Sequence, residues 1–111
     1  SNKLNIDGPF MPLKYEVGLL SEWSGKAIHV VLMSVVKNEI VVIVHVKRIP
    51  SKDEKTIFSS SSVLDELRQH VTTAKLHFTD KIWSVSNGLM TGSQKVSKKR
   101  VRDYYQKILN D

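Results

Sequence analysis

The sequence predicts a small α+β domain in which two to three helices pack on a three-stranded, largely antiparallel sheet. Two β-branched runs, 27–36 and 39–47, are separated by two polar residues, which is typical of an antiparallel hairpin. Apolar residues at helical spacing predict helices near 13–22, 63–74 and 98–109. Because the chain has 111 residues, 41% of them hydrophobic and 25% charged, we expect one folded domain of ordinary composition.

The expected domain comprises residues 3–111, because Ser1 and Asn2 resemble the remnant of a cloning tag. A short extended segment over Lys3–Ile6 is expected first. No signal peptide follows, and the chain has no cysteine, so we expect a reducing, cytoplasmic location.

The first helix is expected to begin near Pro12 and to end before Gly25. Leu13, Val17 and Leu20 recur at the i, i+4 and i+7 spacing, so they are predicted to face the core.

The two β-runs are apolar on both faces, which predicts strands that are central in the sheet or covered on both sides. A membrane span over these runs would place Lys37, Asn38 and Glu39 at its centre, where charges are costly, so none is predicted. The polar segment 50–61 has no period, and we interpret it as a loop and the best candidate for disorder.

The second helix is predicted to begin at Ser62 as N-cap and to bury Leu64, Leu67 and Val71. A third strand is expected within 75–85, where apolar and polar residues alternate. A last helix from about Ser97 should then bury its own apolar stripe. The members of that stripe are Val101, Tyr105 and Ile108.

The net charge of +6, from seventeen Lys and Arg against eleven acids, favours an anionic partner. Lys98, Lys99 and Arg102 share one face of the last helix, and a solvated surface is the ordinary interpretation of such a face. Because Trp83, Tyr104 and Tyr105 lie nearby in the sequence, a non-enzymatic module that binds nucleic acid is the alternative.

The sequence contains few other groups that suggest chemistry. The four histidines show no metal-ligand spacing, so no metal site is predicted. His29 and His45 are interpreted as packed or edge residues of the hairpin, and His70 as a structural helix residue. Neither GxGxxG nor GxxxxGK[ST] occurs, so this chain is not expected to hold ATP by a phosphate loop of its own.

Lys95 differs from the other cations because it ends a glycine-containing turn just before the last helix. A loop in this place can present one ammonium to phosphate or carboxylate oxygens of a partner.

The stretch GLMTGSQKVSKKRVRDYY resembles the C-terminal signature of the AMP-forming ligases, the superfamily of acyl- and aryl-CoA synthetases, luciferases and nonribosomal adenylation domains. That signature is commonly written P-x-T-x-S-G-K-[IV]-x-[RK]. The residues in register are Thr91, Ser93, Lys95, Val96 and Lys98. Leu89 stands where proline is usual and Gln94 where glycine is usual, and at these places the chain is similar to the long-chain acyl-CoA synthetases.

The stretch KLNIDGPFMPLKYEVGLLSE resembles the segment K-x-x-G-[FY]-x-[IV]-x-P-x-E-[IV]-E that begins past the interdomain hinge in the same superfamily. The matching residues are Lys3, Phe10, Glu16 and Val17. Gly8 sits one residue early, and Gly18 replaces the second acid. The resemblance covers nearly the whole chain in the family's order of elements.

The resemblance implies that the chain is a mobile C-terminal lid domain of a larger acid–thiol ligase active in fatty acid metabolism. Lys95 would be the catalytic lysine of adenylation, and Thr91, Ser93, Gly8 and Phe10 would lie against the cofactors. These are ATP and CoA, with Mg²⁺, in the full-length enzyme. The partners would be the N-terminal adenylation domain, a carboxylic acid, and CoA or a carrier-protein thiol. The isolated lid is expected to be inactive.

Overall fold

The structure, a computed structural model, describes residues 11–36 and 38–109, so the strand expected at Lys3–Ile6 lies outside it. The elements are α1 (Met11–Glu22), β1 (His29–Val36), β2 (Glu39–His45), α2 (Lys52–Ser59), α3 (Ser62–Arg68), β3 (Thr73–Thr79) and α4 (Lys98–Leu109). They group into two compact units, Ser1–Asp80 and Lys81–Asp111. The predicted α+β class is confirmed, and the described residues contain four helices where two to three were expected.

The three strands form one sheet in the order β1-β2-β3. β1 and β2 are antiparallel, with His29 opposite His45, whereas β2 and β3 are parallel, with Glu39 beside Thr73. The sheet is therefore mixed. Residues 46–72 return the chain to the end of the sheet at which β2 begins, as the connection between parallel strands must.

The hairpin of β1 and β2 is buried on both faces, as its composition predicts. Val30 and Leu32 belong to the core cluster on one face, and Val31 and Met33 on the alternate face are also almost fully buried. The turn contains Asn38 in the left-handed conformation (φ 65°), which asparagine tolerates better than most residues.

The core of the first unit lies between the sheet and the helices α1 and α3. α1 contacts β1 and α3, and α3 also contacts β3. The buried apolar side chains of the cluster are Tyr15, Leu19, Trp23, Val30, Leu32, Ile40, Val42, Val44, Val46, Phe58, Leu64, Leu67, Val71 and Ala74. Their removal from water is the main stabilising contribution to this unit.

The buried face of α1 is not the predicted one. Leu13, Val17 and Leu20 are exposed, and Val17 retains 59% of its accessible surface. The buried positions are Tyr15, Glu16, Leu19 and Trp23. This second stripe has the same helical spacing, but Glu16 within it makes the stripe look polar. The Glu16 carboxylate is accommodated because its Oε2 accepts a hydrogen bond from the Leu32 N–H of β1 at 2.8 Å.

The interpretation of 50–61 as a loop is wrong, because Lys52–Ser59 forms α2. A capping box begins this helix: the Ser51 hydroxyl accepts from the Glu54 N–H at 3.2 Å, and Glu54 Oε1 accepts from the Ser51 N–H at 2.9 Å. Phe58 anchors the helix to the core through edge contacts with Trp23 and Phe78, at ring-centroid distances of 5.1 and 5.0 Å.

α3 begins one residue earlier than predicted, since the N-cap is Ser61, whose hydroxyl accepts from the Leu64 N–H at 2.9 Å. The Glu22 carboxylate, at the end of α1, accepts from the backbone N–H groups of Ser62 and Val63. Burial acts to raise the pKa of Glu22, but these hydrogen bonds outweigh it and lower that pKa. The predicted buried positions Leu64, Leu67 and Val71 are confirmed.

The boundaries after α3 also differ from those predicted. α3 ends at Arg68, well before residue 74, and β3 covers Thr73–Thr79 instead of reaching residue 85. Within the described ranges, no helix has the length and apolar character needed to cross a membrane.

Candidate functional site

The candidate site lies in the unit that begins at Lys81, where a loop anchored by Asn87 leads into a hairpin turn. The Asn87 side-chain oxygen accepts from the N–H groups of Ser84 and Leu89, and its amide nitrogen donates to the Ile82 carbonyl at 2.8 Å. Gly88 follows with φ 82°, a conformation that glycine adopts without strain. One side chain therefore fixes the path of the chain into the site.

Residues 90–96 form a tight hairpin, closed by an antiparallel bridge between Met90 and Val96. The Thr91 N–H donates to the Lys95 carbonyl at 2.7 Å, and the Gln94 N–H donates to the Thr91 carbonyl at 2.8 Å. Gln94 has φ 61°. A turn followed by one left-handed residue is a common three-residue hairpin loop, and the left-handed position favours glycine. This is the position at which the superfamily signature has glycine.

The hydroxyl groups of the turn hold its backbone. Thr91 Oγ1 lies 3.0 Å from Ser93 Oγ and accepts from the Lys95 N–H at 3.3 Å. Thr91 thus bonds to Lys95 through both its backbone and its side chain. The Thr91 hydroxyl therefore holds the Lys95 backbone directly, and the Ser93 hydroxyl contacts Lys95 only through Thr91.

The Lys95 side chain is exposed, and within residues 11–36 and 38–109 its ammonium has no hydrogen-bond or ion-pair partner. Neighbouring cations are engaged: Lys99 Nζ lies 3.3 Å from Asp103 Oδ2, and Arg100 Nη1 lies 3.5 Å from the Gly88 carbonyl oxygen. The turn therefore presents one unpaired cation on a fixed backbone.

α4 anchors this unit through Val101 and Tyr105, which are both buried as predicted. The Trp83 indole N–H donates to the Tyr105 hydroxyl at 3.1 Å. Ile108, also predicted to be buried, is 46% exposed, so that prediction is wrong. Ile108 lies one residue before the end of α4, so no following turn of this helix holds it in line with Val101 and Tyr105.

The residues that match the N-terminal superfamily segment lie in different environments. Gly8 and Phe10 lie outside the described residues. Glu16 is buried and bonded to the backbone of β1, and Val17 is exposed on α1. The position of Glu16 indicates a structural role and not contact with a substrate. The anchoring role of Asn87 was missed, although the Asn-Gly pair that signals such a turn is present in the sequence.

The two histidines of the hairpin face each other, with their Nδ1 atoms 3.0 Å apart and their rings stacked. Burial, and then the neighbouring His45, lower the pKa of His29. Burial also lowers the pKa of His77. Across the part of the chain that the structure describes, no three His, Asp or Glu side chains converge to hold a metal ion.

Comparison with protein-family models, curated proteins and solved structures found no match to this chain. Function is therefore inferred from the residues and their geometry.

Proposed function

We propose that this chain is the C-terminal lid domain of an ATP-dependent, AMP-forming acid–thiol ligase, and that Lys95 supplies the positive charge required for adenylation. The observation that supports this most directly is the exposed, unpaired ammonium of Lys95 on a hairpin turn fixed by Thr91. The left-handed conformation of Gln94 adds support, because the superfamily signature has glycine there.

The chemistry follows from where charge develops. In adenylation a carboxylate oxygen attacks the α-phosphorus of ATP, a new C–O–P linkage forms, and the bond to pyrophosphate breaks. Negative charge concentrates on the oxygens between the two reacting anions. An ammonium held there in advance stabilises the transition state without reorganising, which is the most effective use of one charge.

Thr91 and Ser93 act on this step indirectly. Their hydroxyls hold the turn, so they reduce the freedom of the Lys95 backbone before the substrates arrive. In the proposal they are positioning residues that can also donate to phosphate oxygens when the lid closes.

ATP, CoA and Mg²⁺ belong mainly to the N-terminal domain in this proposal. The sequence has no phosphate loop, so the lid supplies a cation to a nucleotide bound elsewhere. For thioester formation the lid would turn its other face to the cleft, and Lys95 would withdraw. Domain closure of this kind lets one cleft carry out two reactions in sequence. The parent enzyme is proposed to be cytoplasmic.

The nucleic-acid-binding alternative would use the exposed cations of α4 for phosphate contacts. Its stacking residues are less available than the sequence suggests. Trp83 and Tyr105 are buried against each other, and the Lys81 ammonium lies 5.1 Å from the ring centroid of Tyr104. The lid function is therefore favoured.

The test compares Lys95→Ala with Lys99→Ala in the full-length enzyme. Losing one well-placed charge-stabilising donor costs about 3–4 kcal/mol, so Lys95→Ala should slow carboxylate-dependent ATP–pyrophosphate exchange by two to three orders of magnitude. Thioester formation from supplied acyl-adenylate should change less than about threefold, because Lys95 has left the cleft. Lys99→Ala is the matched control and should affect neither step by more than a few fold.

Two outcomes would overturn the proposal. Equal effects of the two substitutions would indicate a diffuse basic surface, as nucleic-acid binding predicts. Acyl-adenylate formed by the isolated 111-residue chain would show that it does not act as a lid.

A further inference from the structure

A groove of about 470 Å³ lies in the first unit, at the end of the sheet where β2 finishes. Three segments form it: the turn after α1, the residues after β2, and α2. Its principal lining residues are Lys26, Ile28, Lys47, Arg48, Ile57 and Phe58. Its volume lies within the range of pockets that hold small organic molecules.

The groove has an excess of positive charge. Three cations, Lys26, Lys47 and Arg48, face one acid, Glu54, which leaves 3 − 1 = 2 positive charges. The ion pair between Arg48 Nη2 and Glu54 Oε2 is long, at 3.9 Å, and highly exposed, so it is weak. Within the described part of the chain, neither lysine forms an ion pair or a side-chain hydrogen bond.

The other carboxylate oxygen of Glu54 accepts from the Ser51 N–H in the capping box of α2. One carboxylate against three cations neutralises the groove only in part. A bound anion would gain charge-assisted contacts that the protein itself does not supply.

The rest of the lining is largely apolar. α2 has two apolar residues: Phe58, which is buried, and Ile57, which is 57% exposed. Ile28, on another segment of the groove, is 38% exposed. Val46 and Phe58 form the buried apolar floor beneath them. Ile28 and Ile57 thus place exposed apolar surface on two segments of the same groove, where an alkyl chain would be removed from water.

The geometry points to a binding site for a single-chain amphiphile with an anionic head, such as a fatty carboxylate, whose head meets Lys26, Lys47 and Arg48 and whose chain lies between Ile28 and Ile57. The combination of two excess positive charges with exposed isoleucines in one groove distinguishes this ligand from an inorganic anion or an uncharged lipid. The site is independent of the lid function proposed above.

The experiment titrates the 111-residue chain with monomeric laurate, below its critical micelle concentration, by calorimetry and by NMR of isoleucine methyl groups. Dodecyl maltoside serves as the uncharged amphiphile of equal chain length, and acetate as the head group alone. Laurate should bind at 1:1 stoichiometry and shift the methyl signals of Ile28 and Ile57. Each control ligand should bind at least about tenfold more weakly, since it lacks one of the two contributions.

Variants then locate the site. Arg48→Gln should weaken laurate binding about two- to fivefold, as expected for one exposed charge contact, and Ile57→Gln about tenfold. Lys75→Gln and Val17→Gln are the matched controls, because both residues are exposed and outside the groove, and Val17 is exposed to 59% against 57% for Ile57. The controls should leave the affinity unchanged.

The proposal is overturned if laurate does not bind, if dodecyl maltoside binds equally well, or if Val17→Gln weakens binding as much as Ile57→Gln. Vesicles of phosphatidylcholine with phosphatidylserine form a separate arm. Binding to these vesicles without binding to monomeric laurate would identify a membrane contact and would also overturn it.

Discussion

Glu16 offers a sharp test of the fold, because a buried carboxylate there holds an edge strand to a helix. It is 3% exposed, and its Oε2 accepts from the N–H of Leu32, which is 1% exposed. Glu16→Ala would remove the carboxylate that accepts from this buried N–H, at a cost of about 1–3 kcal/mol, and would add about 1–2 kcal/mol for the cavity. We expect a loss of about 3 kcal/mol in the free energy of unfolding.

Glu16→Gln keeps an oxygen acceptor of the same size, so its cost should be about half as large. The assay is urea unfolding followed by tryptophan fluorescence, with Trp23 reporting on the core that contains α1. With a slope of about 2 kcal/mol per molar urea, a loss of 3 kcal/mol moves the midpoint by about 1.5 M.

Glu66→Ala is the control, because Glu66 forms an exposed pair with Lys14 at 3.4 Å and should cost less than about 1 kcal/mol. If Glu16→Ala proved no more destabilising than Glu66→Ala, the structural role assigned to Glu16 would be refuted. Its match to the superfamily segment would then need a different explanation.

Three further predictions concern pH and backbone conformation. The folded pKa of His29 is lowered below its ordinary value of 6.5, so as the pH falls the unfolded chain binds a proton at His29 before the folded chain does. The contribution of neutral His29 to the free energy of unfolding is therefore present above about pH 6.5 and is lost as the pH falls towards the folded pKa. Urea titrations between about pH 5 and 7.5 should show stability falling as the pH falls. His29→Gln should reduce this slope and leave the part due to His77, and an unchanged slope would contradict the assignment. Gly88→Ala should lower stability by about 1–2 kcal/mol, since φ is 82° and a Cβ would lie 3.2 Å from Arg100 Nη1. Gln94→Gly should leave stability unchanged or raise it by up to about 1 kcal/mol, and thermal unfolding that ranks the two variants the other way would reject the conformational argument.

Local signals in the sequence were sufficient for the hairpin and for the turn before α4. The two β-branched runs predict β1 and β2 because their pairing depends only on a short polar turn. The exposed position of Lys95 likewise follows from the glycine and hydroxyl residues around it. The hydrogen bonds of Asn87 that fix the loop could not be derived, because they depend on the path of the chain itself.

Elements that depend on distant contacts were predicted less well. The parallel pairing of β3 is decided by where α2 and α3 return the chain, which no local pattern records. The buried face of α1 was misassigned because the helix has two apolar stripes at the same spacing. The buried stripe contains the charged residue Glu16, so the other stripe looked more apolar in the sequence. α2 was missed although the capping box of Ser51 and Glu54 is visible in the sequence, since the serine run after it suggested a loop.

The mixed pairing of the sheet also has a kinetic consequence. β1 and β2 are neighbours in sequence, and hairpins of this kind form within about 1–10 μs. β3 can join β2 only after the segment 46–72 has closed into a loop. Loop closure lowers the conformational entropy of the chain before any contact between β2 and β3 has formed. Until then, the outer edge of β2 stays open to pairing with another unfolded chain, so newly synthesised molecules are most prone to associate at that stage.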